Sequence, residues 1–533
     1  MAVGVKGKLG TWNYDLSNTY GQNQFKYTIE NTSNATLGSK SPKEFEAGKL
    51  GFSQNTSNLD FSHEYNVLAG LNLAVGAELR LENYRIKAGD QTSYERYDIN
   101  GVPATPTTPA TQLPTDFFGS VRPGGAQVFP GFRTENALDR KRNSQAAYVD
   151  VELNPTKAWL LNGAVRYENY SDFGSTFSYK FATRIKAGTG LNLRGALATG
   201  FRAPSLQQRY FNSTATQFLG GVPFEVGTFT NESKAASLLG IPSLKQETSS
   251  SYSAGVTYKV PNSTLTLTVD GYFIKIKDRI ILTGQFARPS GTPTGDQLVL
   301  QQAFDQAGAT SATFFTNAIN TESRGIDYIL SNKFNFDGFT LKTDLAGTVS
   351  RTKKVGDIKA SDILKNTGNV NTYFDEASRI FLEAAVPRSK LALINTINYK
   401  KLEFFLRQTY FGSVIDPNVA DVNGNGLVEG ATVNGQFIAT EHPVFGGRTI
   451  TDFSIGFEAT KHLRFTLGAN NIFDIYPDKN LKTQTAARPN TSGVFGAPGT
   501  IDLSNNNQFE YSRNVSQFGF NGRYVFARLG LTL

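Results

Sequence analysis

Apolar and polar residues alternate one by one along much of the chain, in stretches long enough to cross a bilayer as β-strands. In residues 158–168, Trp159, Leu161, Gly163, Val165 and Tyr167 share one face, while Asn162, Arg166 and Glu168 share the other, because successive strand side chains point to opposite sides. Leu73, Val75, Ala77, Leu79 and Leu81 stand in the same way against Glu78, Arg80 and Glu82, and Leu191, Leu193, Gly195 and Leu197 against Asn192 and Arg194. Leu265, Leu267, Val269 and Phe273 oppose Thr264, Thr266, Thr268 and Asp270, and Phe453, Ile455 and Phe457 oppose Asp452, Ser454 and Glu458. The pattern predicts about sixteen such strands.

Short and long connections alternate between them. The short links fall at 154–156, 187–189, 261–262, 335–338, 400–401 and 460–461, and the long ones at 89–143, 204–247, 277–322, 351–386, 413–447 and 474–520. Outer-membrane barrels are built this way, with short periplasmic turns and longer extracellular loops. A water-soluble barrel would turn its apolar face inward, but about sixteen strands enclose a lumen too wide for side chains to fill. The apolar face is therefore expected to meet lipid and the polar face the lumen. The predicted fold is all-β, a transmembrane antiparallel barrel over residues 1–533 as one domain, with an even strand count and both chain ends on the periplasmic side.

Composition agrees. The chain has 40 Phe and 22 Tyr, which suit aromatic girdles at the two membrane interfaces. Hydrophobic residues make up only 39% and no 18-residue apolar run occurs, so no transmembrane helix is expected, and a barrel needs none. Cysteine is absent, in keeping with export through an oxidising compartment. The net charge of +8 comes from 53 basic and 45 acidic residues spread along the chain, without the basic stripe that nucleic-acid binding requires. The first residues, Met1 to Lys6, lack the basic and apolar regions of a secretory signal, which leads to the expectation of a processed or incomplete chain.

Candidate chemistry is sparse. Asp421, Asn423 and Asn425, followed by Gly426 and Glu429, place oxygen donors at the first, third and fifth positions of a calcium loop and a glycine at its turn. Position 12 holds Thr432 instead of Glu, so a plain Asn/Gly turn cluster competes with a structural calcium site. Ser350 and Lys353 match the S-x-x-K spacing of penicillin-binding enzymes but close a strand rather than sit on a helix. His63, His442 and His462 have no metal-ligand spacing, and Gly424 with Gly426 lacks the strand-to-helix context of a phosphate loop. Inward charges such as Arg80, Glu82, Arg166, Glu168 and Arg194 read as a solvated lumen wall. No catalytic constellation emerges, and an enzyme is not expected.

Several segments resemble the barrel of TonB-dependent outer-membrane receptors. The clearest is RGALATGFRAPSLQQRYF at 194–211, whose core is Gly200, Phe201, Arg202, Ala203, Pro204 and Ser205. The second is FTLGANNIFDIYPD at 465–478, with Asn470, Asn471, Phe473 and Asp474. WNYDLSNTYGQN at 12–23, the stretch 71–94, DRIILTGQF at 278–286 and ESRGIDY at 322–328 follow in the family's order. The final RYVFARLGLTL puts Val525, Ala527, Leu529, Leu531 and Leu533 on one face, as a targeting strand does, although the family usually ends in an aromatic residue. The resemblance implies a monomeric receptor in the outer membrane of a Gram-negative bacterium, surrounded by lipid. It would import a small nutrient such as a ferric siderophore, cobalamin or an oligosaccharide. It also implies a signal peptide, a TonB-binding segment and a plug ahead of a barrel of roughly 22 strands. On that comparison the plug and about six strands are missing here, and contact with the TonB system would run only through the missing N-terminal part. The alternative is a passive porin-like channel of about sixteen strands, with residues 89–143 folded into its lumen.

Overall fold

The computed structural model describes every residue except 106, 107, 220, 221, 308–310, 434, 435, 490–494 and 533. Leu533, expected to end the last outward face, thus lies outside the described residues. The described residues form a 20-stranded sheet. Three of its strands, Ser213–Leu219, Val222–Phe229 and Phe286–Ala287, are short additions at the loop end, which leaves 17 wall strands.

These are β1 (Ala2–Leu9), β2 (Trp12–Glu30), β3 (Glu44–Tyr65), β4 (Leu71–Lys87), β5 (Leu138–Thr156), β6 (Trp159–Tyr170), β7 (Gly174–Lys186) and β8 (Leu191–Arg202). They continue with β9 (Glu247–Lys259), β10 (Thr266–Leu282), β11 (Ser311–Phe336), β12 (Phe339–Val355), β13 (Ser389–Tyr399) and β14 (Leu402–Phe411). The last three are β15 (Arg448–Thr460), β16 (Leu463–Asn470) and β17 (Tyr524–Leu531). Each pairs antiparallel with its neighbours in the chain. The tight turns carry residues that tolerate left-handed backbone: Gly338 at φ 86° between β11 and β12, and Lys400 at φ 52° between β13 and β14.

Register aligns the expected faces. Val165 lies opposite Val149 and Tyr179, and Phe181 opposite Gly163 and Leu197. Val165, Tyr167, Phe177 and Phe181 are 43–60% exposed, which suits a surface that meets lipid rather than a packed core. Among the described residues no helix is long and apolar enough to cross a membrane.

Two expectations change. Strand β1, with Val3, Val5 and Leu9 exposed on one face, makes the count odd rather than even. Both β1 and β17 then run from the long-loop end toward the short-turn end, which puts Met1 at the long-loop end. Among the described residues β1 pairs only with β2, and β17 only with β16, so each has an outer edge with no partner. The strands also run beyond their expected ends: β5 begins at Leu138, inside the expected 89–143 loop, and β11 starts at Ser311. The connection between β6 and β7 at the long-loop end, residues 171–173, is short.

The long connections themselves fold. They contain α1 (Leu206–Tyr210), α2 (Lys234–Leu238), α3 (Asp296–Ala307), α4 (Asp362–Asn366), α5 (Val370–Tyr373) and α6 (Glu376–Glu383). Their apolar residues build a compact core beyond the wall, in which Leu239, Phe286, Leu300, Phe304, Leu364 and Tyr373 are all buried. Among the described residues this is the largest buried apolar cluster, and the start of β11 joins it through Ala312, Phe314, Ala318 and Ile319.

Candidate functional site

The polar face of β4 to β6 and the mouth above it form a column of alternating charges. Glu78 pairs with Arg80 at 2.5 Å and with Arg166 at 3.3 Å, and Arg166 continues to Glu168 at 2.9 Å. One step outward, Arg142 of β5 holds Glu82 at 2.7 Å and approaches Asp172 at 3.6 Å. Arg209 of α1 takes Asp172 at 2.8 Å and Glu232 at 2.8 Å. The column reaches from the middle of the wall to the cap. Burial disfavours the charge on Arg209, but Tyr210, Glu232 and Asp172 outweigh it and raise its pKa above the ordinary arginine value.

Arg142 is the hub. Its side chain is 4% exposed; it donates to the Pro204 carbonyl oxygen at 2.6 Å and lies over the Tyr170 ring at 5.3 Å. The sequence pattern missed it because DRKRNS, the top of β5, carries no apolar alternation. Arg194, further round the wall, pairs with Asp270 through its Nε at 2.8 Å.

The two signature motifs sit where wall strands enter the cap. Gly200, Phe201 and Arg202 end β8, and Arg202 pairs at 2.5 Å with Glu247, its cross-strand partner on β9. Glu247 in turn accepts the Ile280 N–H at 2.7 Å. After Ala203, the Pro204 carbonyl receives Arg142, and Ser205 caps α1: its Oγ accepts the Gln208 N–H while Gln208 accepts the Ser205 N–H. Leu206, freed to point inward, packs with Tyr84, Ile86 and Phe132. Ser205→Ala should destabilise this corner by about 1 kcal/mol, measurable as faster protease cleavage within residues 203–212 with the wall intact.

Asn470 ends β16 opposite Tyr524. Asn471, at φ 50°, accepts the Ile475 N–H at 2.9 Å and donates to the Ile475 carbonyl at 2.7 Å. Asp474, at φ 58°, accepts the Arg523 N–H at 2.8 Å and so ties the start of the 471–523 connection to its end. Phe473 is exposed. The motif therefore fixes a loop mouth, and it does not converge with the GFRAPS motif on one ligand.

Asp421, Asn423, Asn425 and Glu429 do come together, in a single turn. Asp421 accepts the N–H groups of Gly424 at 2.7 Å and Gly426 at 2.7 Å. Asn423 and Asn425 accept those of Asn425 and Leu427, and Asn423 donates to Glu429 at 3.1 Å. Glu441, which the sequence pattern did not single out, accepts the Val422 and Glu429 N–H groups. Much of the oxygen set thus serves the turn's own backbone. Among the described residues no group of three or more His, Cys, Asp or Glu is placed to hold a metal ion. The histidines are scattered: His63 meets the Thr11 carbonyl, His442 that of Asn418 and His462 that of Thr532. Ser350 lies mid-strand on β12, and Lys353 is 3.8 Å from Glu322; they form no catalytic pair.

Between the top of β10 to β12 and helix α6 lies a cavity of about 600 Å³, lined by Arg279, Ser323, Thr352, Phe374, Ser378 and Phe381 among others. Its size suits a small molecule, and it combines one guanidinium and three hydroxyls with aromatic walls.

A family model described as TonB dependent receptor-like, β-barrel, matches residues 5–472. No curated protein matches the chain significantly in sequence. Among solved structures, the siderophore receptor PirA from Acinetobacter baumannii has a TM-score of 0.58 at 14% identity, with 99% of this chain and 61% of that one covered. A mutant ferric enterobactin receptor, PfeA from Pseudomonas aeruginosa, in complex with enterobactin, gives 0.57 at 16% identity and the same coverages. The outer membrane transporter YddB from Escherichia coli gives 0.54 at 10% identity, with coverages of 94% and 61%. The chain thus spans about three fifths of the length of these relatives. At such identities the likeness establishes the fold.

Proposed function

The chain belongs to the TonB-dependent receptor-like β-barrel family, and on that premise we propose that it is the greater part of an outer-membrane receptor for a scarce nutrient, with a chelated metal first among the candidates. Members of the family are receptors and transporters rather than enzymes, and no covalent step is needed. The observation that carries the reading is a charged inner wall leading to a folded cap. A solute held in the cap cavity, beside Arg279, would stand above a lumen lined by alternating acids and bases. A ferric siderophore suits this arrangement; cobalamin and oligosaccharides are the other candidates. Siderophore receptors among the structural neighbours support the first choice.

The open sheet edges bear on how the barrel closes. Because β1 and β17 run in the same direction, bringing them together would create a parallel seam in an otherwise antiparallel wall. Antiparallel closure needs an odd number of further strands, and five would complete a barrel of about 22. We place those strands, the plug and the TonB-binding segment in a portion of the receptor outside this sequence; gating would depend on it. Planar-bilayer recording tests the reading. The expected record shows no steady open channel, and a stable sub-nanosiemens conductance would favour a passive pore instead.

Calcium at Asp421, Asn423, Asn425 and Glu429 remains a proposal for ordering the 412–447 connection. If it binds, millimolar calcium should slow protease cleavage near Asn425; unchanged cleavage rejects the site.

A further inference from the structure

Where the lipid-facing apolar surface of β10 to β12 ends at the cap side, the next outward positions are cationic. Outward residues on β11 climb from Phe336 and Phe334 through Leu330 and Ile326 to Arg324, and those on β12 from Phe339 through Leu345 and Val349 to Arg351. Register sets Arg324 directly opposite Arg351. One step further, Lys353 and Lys275 both stand opposite Glu322.

Height decides what meets these side chains. Twelve residue steps separate Phe336 from Arg324. At about 3.3 Å per step and a strand tilt of about 40°, the rise is about 30 Å, the thickness of a bilayer's hydrocarbon core. With Phe336 at the periplasmic interface, the arginine pair lies at the headgroups of the outer leaflet.

The charges there are not balanced from within. Like charges directly opposite each other on a sheet repel, and neither Arg324 nor Arg351 has an acidic partner among the described residues. Glu322 is divided between Lys275 at 3.7 Å and Lys353 at 3.8 Å. A second outward row repeats the arrangement at the top of β2 to β4, where Lys26 faces Lys49 and Lys49 faces Lys87. Among the described residues Lys26 alone of that row makes an ion pair within 4 Å, with Glu46. A bound anion would relieve the repulsion in both places.

We infer that this outer rim binds the phosphate groups of an outer-leaflet lipid, with Arg324 and Arg351 as the principal clamp, and this rests on the outer-membrane reading above. Continuity with the apolar face selects a lipid over a free anion. A phosphorylated saccharolipid seated on the arginines would lay its acyl chains on Ile326 and Val349 immediately below. Arginine suits the task because its planar donors grip phosphate in pairs.

The test uses the full chain folded in detergent micelles, with diphosphorylated lipid A and enzymatically dephosphorylated lipid A as probes and native mass spectrometry as the readout. The wild-type chain is expected to retain the phosphorylated lipid and to release the other. The double variant Arg324→Gln with Arg351→Gln should retain about tenfold less, while Arg324→Lys with Arg351→Lys, which keeps the charges, should recover most of the binding. Circular dichroism confirms that each variant keeps its sheet. Equal retention of both lipids, or an unaffected double glutamine variant, overturns the inference. Displacement by millimolar inorganic phosphate overturns the choice of a lipid. A wild-type chain that forms its sheet in aqueous buffer without detergent and stays monomeric there contradicts the membrane reading itself, and the inference falls with it.

Discussion

Replacement of Arg142 by Leu is expected to destabilise the chain by about 3–5 kcal/mol, the usual cost of removing one partner from a buried ion pair. The guanidinium is enclosed, and it satisfies Glu82, the Pro204 carbonyl oxygen and, at longer range, Asp172. Leucine would fill part of the volume but leave the Glu82 carboxylate, itself 9% exposed, without its cation. The loss should spread, because Pro204 belongs to the segment that positions Ser205 and α1. Arg142→Lys keeps a charge near Glu82 but cannot reach three acceptors at once, so it should recover only part of the loss. Urea unfolding in micelles, followed by tryptophan fluorescence, measures both variants. A shift below 1 kcal/mol for Arg142→Leu would show that the column is solvated and contributes little.

Phe286→Ala should be comparably costly but local. The ring is fully buried in the cap, edge-on to Tyr373 with centroids 5.3 Å apart and near Phe314 at 6.3 Å. Truncating a buried phenylalanine costs about 3–5 kcal/mol through lost burial and the cavity left behind. Most of the residues that lose contact lie in the long connections, so the wall should keep its sheet signal while protease cuts residues 283–310 and 356–388 far more readily. Cooperative loss of the wall together with the cap would mean that the two are one folding unit. Ligand binding in the cap cavity, which shares Phe374 with this core, should weaken in the same variant.

The parts of this architecture that lipid dictates were legible from the sequence. An apolar residue at every second position exposed β4, β6, β8 and β15, and the register keeps those positions on one face. The alternation ends toward the long-loop end of the strands. The top of β5, with Arg140 and Arg142, therefore reads as loop although it continues the ladder, and the hub of the charge column was missed with it. The cap helices were missed for a related reason. Helices such as α4 and α5 have only 5 and 4 residues, too few to show a helical period, and their core is assembled from segments far apart in the chain. The GFRAPS and NNIFD motifs were recognisable as motifs, but the sequence could not tell that they fasten strand ends to the cap. Strand parity turned on β1 alone, eight residues long.

The central claim is that this wall belongs to a gated receptor whose closure and gating need further strands and a plug. Growth on a chelated iron source, in a strain stripped of its own iron receptors and carrying this chain in its outer membrane, tests it most directly. No rescue by the chain alone is the predicted result; growth restored by the chain alone would contradict the claim.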